Sequence, residues 1–242
     1  MPIPNPLLAK FERALALTEQ ERHAISFVPL RLQTVRADQA ILREGTQPKR
    51  CCLLIEGLSC SAKIVSNGNR QIVAFHIPGD MPDLNSFHLE TRDTDVWAIT
   101  TCEVAFIDHH DLRQLCEEYP RLATELWRIT LADAAVFREW VVNVGRRDGI
   151  SRMAHLFCEI MKRMETIGRA KDGVCPFPVT QRDLAEATGM SEVHVNRMLQ
   201  DLRREKLISF GRGQLTIHDW NKLAEQADFS IDYLHLPLAM AA

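Results

Sequence analysis

The chain has 242 residues, of which 46% are hydrophobic and 25% charged, with a formal net charge of -3. That length suits two ordinary domains better than one large one. No apolar run approaches the roughly 20 residues that cross a bilayer, and the opening MPIPNPLLAKFERA has no basic segment followed by an apolar core. The expectation is therefore a cytoplasmic protein with no secretory signal and no membrane span.

The elements follow in chain order. After a short helical start, in which Thr18 and Glu21 have the spacing of a capping box, the segment from about Leu30 to Asp108 reads as strands. ILREGTQ, RCCLLIEGLSCSAKIV, RQIVAFHIPGD and VWAITTCEVAFID are β-branched and apolar runs divided by Gly, Pro, Asn and Asp, with SNGNR as a hairpin turn. Short strands at regular spacing predict a barrel or roll. Seven cysteines, at 51, 52, 60, 102, 116, 158 and 175, form no regular framework and no pair of CxxC motifs. They read as packing residues, not as disulfides or zinc ligands.

Between two strand runs lies PGDMPDLNSFHLETRDTDVW, which gathers Asp80, Asp83, Asp93 and Asp95 around Asn85, His88 and Arg92. The residues alone leave open a ligand pocket, a metal or haem site, or a solvated connection. From about Asp111 to Asn143 glycine is absent, and the pattern predicts one long helix, with a shorter one before Pro120. Leu122, Leu126, Ile129, Val136 and Trp140 recur at helical intervals. Its length, about 30 Å after Pro120, predicts that this face pairs with a second copy, with Asp133 and Asn143 on or beside the seam to set register. GRRDG then reads as a hinge, with Asp148 capping the helix that follows.

The C-terminal part carries the clearest motif. In VTQRDLAEATGMSEVHVNRMLQDLRREKLISFGRGQLTIHD, Thr180 and Asp183 have capping-box spacing, and Ala185, Gly189, Val195 and Met198 stand where a helix-turn-helix needs a close approach, a left-handed turn and two apolar locks. Val195, Met198, Leu199 and Leu202 make one face of the second helix; Glu192, Val193, Asn196, Arg197 and Gln200 make the other, suited to a major groove. LISF and QLTIH, joined by Gly211-Arg212-Gly213, read as a wing. Arg197, Arg203, Arg204, Lys206 and Arg212 exceed Asp201 and Glu205 in a chain that is acidic overall, so phosphates are the natural partner. Arg197 is assigned to read a base, since a guanidinium bonds both acceptors of guanine, with Glu192, Val193 and Asn196 beside it. Gln181, Arg182, Ser191, His194 and Arg212 are assigned to the DNA backbone.

Taken together, LLIEGLSCSAKIV, FHIPGD, ITTCEVAFI and LAEATGMSEVHVNRMLQDLRREKLI resemble the Crp/Fnr superfamily of bacterial transcription regulators over almost the whole chain. The resemblance implies an α+β protein: a cyclic-nucleotide-binding-like β-roll over 1–111, a dimerisation helix over 112–144 and a winged helix-turn-helix over 145–242. It also implies a homodimer on a two-fold symmetric double-stranded operator, with RNA polymerase as a further partner if the protein activates, and no enzymatic activity. Cyclic-nucleotide binders of the family carry Gly-Glu and Arg-Ser pairs in the effector loop; here Asp83-Leu84 and Arg92-Asp93 stand there. Leu84 accepts no ribose hydrogen bond, and Asp93 and Asp95 repel an anion. The family's iron-sulfur sensors use cysteines near the N-terminus, and none precedes Cys51. Its carbon-monoxide sensor shares Gly-Asp-Met and a proline after the first methionine, here Pro2, but has haem ligands where this chain has Asp83 and Asn85. No cofactor is expected, neither cyclic nucleotide nor haem. If an effector exists, its pocket is assigned to Asp83, Asn85, Arg92, Asp93 and Arg128. Two alternatives stay open: a regulator whose roll has lost ligand binding and works by abundance, and a cupin-like metal site using His76, His88, His109 or His110.

Overall fold

In a computed structural model, residues 5–236 are described, so Pro2 lies outside them. The chain divides into two compact units, Met1–Ser61 with Phe75–Asp133, and Ala62–Ala74 with Ala134–Ala242.

The first unit opens with helices α1 (Pro6–Ala14) and α2 (Glu19–Phe27). Asn5 caps α1 by accepting from the amides of Leu7 and Leu8, a cap the sequence reading did not include. The Thr18–Glu21 box on α2 closes in both directions, at 3.2 and 2.7 Å. In chain order the strands are β1 (Arg31–Val35), β2 (Ala40–Leu42), β3 (Arg50–Glu56), β4 (Ser59–Ile64), β5 (Arg70–His76), β6 (Asp95–Ala98) and β7 (Cys102–Asp108), with the end of β4 and most of β5 in the Ala62–Ala74 segment assigned to the second unit. They form a three-stranded sheet in the order β1-β7-β3 and a four-stranded sheet in the order β2-β6-β4-β5. The turn after β4 closes as expected for SNGNR, with the Val65 amide donating to Asn69 O at 3.0 Å.

The run CCLLI is apolar at every step because β3 is covered on both faces. Side chains alternate across a strand, so Cys51 and Leu53 join the core formed with Leu7, Phe11, Ile25 and Leu112, while Cys52 and Leu54 join Val96, Ala98 and Val104 on the opposite face. Burial of each such leucine stabilises the roll by about 1.5–3 kcal/mol, and a slip of one residue would exchange the two sets. Gly57, at φ +96°, makes the β3–β4 turn; a Cβ there would lie 2.6 Å from Thr101 O, so glycine is required. All seven cysteines are free thiols, six of them buried.

Helix α3 (His109–Glu118) precedes α4 (Pro120–Arg146), which is 27 residues long. The face of α4 predicted to meet a second copy is instead largely consumed by this chain. Leu122 and Leu126 are buried in the roll core and Ile129 packs against it. Trp140 is buried and donates to Glu159 at 2.9 Å, and Asn143 donates to Arg152 O at 3.3 Å. Val136 is half-buried and Asp133 exposed. A separate apolar stripe faces solvent, with Trp127 66%, Leu131 53%, Phe137 42% and Val141 71% exposed. Helical periodicity reports that an apolar face exists; where two exist, it does not say which one the chain itself covers.

In the second unit α5 (Gly149–Thr166) starts at Asp148, whose carboxylate accepts from the Ser151 amide at 2.8 Å. Then come β8 (Val174–Pro176), α6 (Gln181–Thr188), α7 (Glu192–Arg204), β9 (Ile208–Gly211), β10 (Gln214–Ile217) and α8 (Trp220–Ala227). The wing sheet has the order β8-β10-β9, so the expected two-stranded wing gains a third strand. Phe157 and Phe177, both fully buried, anchor this unit's core and meet edge to face with centroids 6.4 Å apart.

Candidate DNA-reading surface and effector loop

Helix α6 begins with the full capping box: Asp183 N donates to Thr180 Oγ1 at 3.1 Å and Thr180 N to Asp183 Oδ2 at 2.9 Å. It ends on Gly189 at φ +64°, a left-handed conformation that glycine adopts without strain. Ser191 then caps α7 by accepting from the His194 amide at 3.3 Å. Val195, Met198, Leu199 and Leu202 are buried and fix α7 against the rest of the unit. The opposite face is open: Glu192, Arg197 and Gln200 are exposed and Val193 is 82% exposed. An apolar side chain held this far out on a well-packed helix has little of its surface covered by the protein itself.

The arginines divide into groups. Arg197 reaches outward with its Nη2 3.3 Å from His194 Nε2. Arg212 sits in the wing turn at φ +53°, exposed. Arg203 donates to Phe210 O at 2.7 Å, Arg204 pairs with Asp201 at 2.7 Å and Arg182 with Glu186 at 3.0 Å. Part of the local positive excess therefore also serves internal contacts. Asn196, assigned to base reading, is half-buried and donates to Gln181 Oε1 at 3.1 Å, so the structure joins a base-reading and a backbone candidate in one contact.

Between β5 and the start of β6, Asp80, Asp83 and Asp95 are engaged with main-chain amides. Asp80 accepts from the Ile77 amide at 2.8 Å, Asp95 from Glu44 at 2.7 Å and Asp83 from Cys52 at 2.7 Å. Asp83 is the centre of a buried cluster. It also accepts from Arg92 Nε at 3.2 Å, Arg92 Nη2 at 2.9 Å and Ser86 Oγ at 3.2 Å. Arg92 further donates to Thr46 Oγ1 at 3.1 Å and Arg50 O at 3.0 Å. Burial pushes the Asp83 carboxyl above the usual carboxylate range, against the pull of the Cys52 amide and the Arg92 guanidinium. Of the other pocket candidates, Asn85 and Asp93 are exposed and Arg128 pairs with Glu125 at 2.7 Å. The structure thus brings Asp83 and Arg92 together.

The histidines weighed for a metal site have other company. His76 is buried 2.8 Å from Ser61 Oγ, and His109 lies 3.4 Å from Ser86 Oγ with its ring edge-on to Phe87. Among the described residues no group of three or more His, Cys, Asp or Glu is placed to hold a metal ion.

Two family models match the chain: a cyclic nucleotide-binding domain over residues 32–119 and a Crp-like helix-turn-helix domain over residues 151–226. Among curated proteins the chain is 26% identical to the nitrogen fixation regulation protein FixK of Bradyrhizobium diazoefficiens over 69% of each chain. It is 23% identical to the transcriptional activator protein FnrL of Cereibacter sphaeroides over 81% of this chain and 79% of that one. Among solved structures, FixK2 from Bradyrhizobium japonicum has the same fold, with a TM-score of 0.75 and 24% identity over 84% of this chain and 99% of that one. The chain belongs to the Crp/Fnr family. It is a DNA-binding transcription regulator of that type, built as an N-terminal β-rich domain, a long helix and a C-terminal helix-turn-helix.

Several buried polar contacts of this regulator have no counterpart in the sequence pattern. Lys10 of α1 donates to Gly79 O at 2.6 Å and so pins the Pro78–Asp80 turn, and its burial lowers the ammonium pKa. Glu159 of α5, fully buried, accepts from Trp140 and from Tyr233, each at 2.9 Å, and pairs with Arg163 at 3.3 Å. Beside it His155 is 1% exposed and stacked on Tyr233. Burial and the Arg147 cation lower its pKa to about 3, so its 3.3 Å approach to Glu139 is a contact of a neutral ring and not an ion pair. Tyr233 lies beyond the matched helix-turn-helix segment, which ends at 226. No local signal in the sequence tied it to α5. At Gly149 a Cβ would lie 2.7 Å from His194 Nε2, so a larger residue at the start of α5 would require the His194 ring to shift.

Proposed function

We propose that the regulator works as a cytoplasmic homodimer on a two-fold symmetric operator, with α7 in the major groove, Arg197 on guanine and Arg212 on the phosphate backbone. The observation that carries this reading is the exposed stripe of Trp127, Leu131, Phe137 and Val141 on α4. So many large apolar side chains in a row on one helix mark an interaction surface. The same stripe on a second copy is self-complementary about a two-fold axis, as a left-handed helix pair requires. Two-fold pairing presents two recognition helices to half-sites about one helical turn apart. Sedimentation equilibrium tests it: the full chain should be dimeric, Leu131→Asp monomeric and weak on operator DNA, and Leu131→Met dimeric. A monomeric wild type, or a dimeric Leu131→Asp, would overturn it.

The roll is proposed to act without cyclic nucleotide or haem. The use of Arg92 supports this, because Nε, Nη1 and Nη2 all donate within the roll. An anion entering here must break a buried ion pair before it gains the guanidinium. The same observation favours the version in which abundance, not a small anionic ligand, sets activity; operator affinity that rises on adding cyclic AMP or cyclic GMP would contradict it. If the regulator activates transcription, RNA polymerase is its further partner.

A further inference from the structure

We propose that Gln200 reads an adenine in the operator and that Asn196 and Gln181 are positioning residues that hold it for that contact. The proposal rests on the reading of α7 as the major-groove helix and extends it to a residue not assigned a base above. Three amides form a ladder across the two helices: Gln200 Nε2 donates to Asn196 Oδ1 at 2.8 Å, and Asn196 Nδ2 donates to Gln181 Oε1 at 3.1 Å. Gln181 is the first residue of α6, so the ladder is anchored on the helix that packs against α7. Asn196 and Gln181 are half-buried, whereas Gln200 is exposed.

An amide side chain has two N–H donors and a carbonyl with two lone pairs. Asn196 spends one donor and one lone pair inside the ladder. Gln200 spends a single donor, and among the described residues no other hydrogen bond reaches its amide. It keeps one N–H and a whole carbonyl, the pair that complements N7 and N6–H of adenine. Reversing all three amides together still leaves Gln200 an N–H and a lone pair, so the conclusion does not depend on which end of each amide is nitrogen. A free glutamine samples many rotamers and presents either edge; tied at one atom to Asn196, this one is presented in a fixed plane. Gln200 follows Arg197 by three positions, which places it on the same face of α7 one turn on. The chemistry predicted is a guanine under Arg197 and an adenine under Gln200.

The test is operator selection from a random duplex library with the full-length protein, followed by competition binding of every single-base variant of the selected site. For the wild type, replacing the A·T pair under Gln200 should weaken binding about 5- to 150-fold. Gln200→Ala should lose that preference while keeping the one for guanine. Gln200→Glu, of the same size and fold, should move it toward cytosine, whose N4 donates to a carboxylate. Asn196→Ala should blunt the preference at the same position only. If Gln200→Ala and Gln200→Glu keep the wild-type preference at every position, the ladder merely joins two helices and the proposal is wrong. If no sequence is enriched at all, the major-groove reading falls with it, a result distinguishable from the first because the guanine preference is then missing too.

Discussion

Replacing Asp83 by alanine probes the effector loop where its structure is most committed. The Asp83 side chain is 4% exposed and its partner Arg92 11%. The substitution strips acceptors from the Cys52 amide, the Ser86 hydroxyl and two nitrogens of Arg92. Loss of one partner from a buried pair leaves an uncompensated charge and costs about 3–5 kcal/mol. Asp83→Asn keeps the shape and one carbonyl oxygen and should cost less. The double variant Asp83→Ala with Arg92→Leu removes the stranded cation and should recover part of the loss, which makes the coupling measurable as a double-mutant cycle. Urea unfolding followed by far-UV dichroism, with the fluorescence of the four tryptophans, of which Trp97 lies in β6, as a second probe, measures the cost. An Asp83→Ala protein within about 0.5 kcal/mol of wild type, an effect typical of ordinary surface substitutions, would refute the claim that the loop is built around this pair.

The buried polar group on α5 yields two more outcomes. His155 has a folded-state pKa depressed to about 3, so its neutral form stabilises the fold above the unfolded value near 6.5, and that contribution is lost as pH falls from there toward 3, by about 1.4 kcal/mol per pH unit. Unfolding midpoints at pH 7.5 and 5.5 should show this slope, and His155→Gln should flatten it. Tyr233→Phe removes a donor 2.9 Å from the buried Glu159 and should cost about 1.5–3 kcal/mol, the range for bonds to charged groups; a neutral effect in thermal unfolding would mean that the tail does not brace α5.

How much of this was legible in the sequence varies with the range of the interaction. Local chemistry read correctly: the boxes at Thr18–Glu21 and Thr180–Asp183, the cap at Asp148 and the turn at Gly189 each depend on residues within a few positions of one another. The buried face of α7 followed from spacing alone. Which apolar face of α4 this chain covers did not, because Leu122, Leu126 and Trp140 carry the same period as Trp127, Leu131 and Val141, and only tertiary contacts separate the two faces. Strand β8 is three residues ending in proline, too short for alternation to register. The Asp83–Arg92 pair spans nine residues of irregular loop, and the Tyr233–Glu159 bond spans 74, so neither leaves a periodic trace. In a stretch whose composition left open a ligand pocket, a metal or haem site or a solvated connection, Asp80, Asp83 and Asp95 bind the chain's own amides, a use that composition does not distinguish from ligand binding.

The regulator's function turns on whether the open face of α7 reads DNA. Competition binding of the full-length wild type and Arg197→Ala to a selected operator and to unrelated duplex, at one salt concentration, measures this directly. Removing the guanidinium should weaken operator binding by about 1–3 kcal/mol, leave binding to unrelated duplex little changed and leave the oligomeric state as it was. An Arg197→Ala protein that binds the operator as tightly as wild type would contradict the assignment of this face.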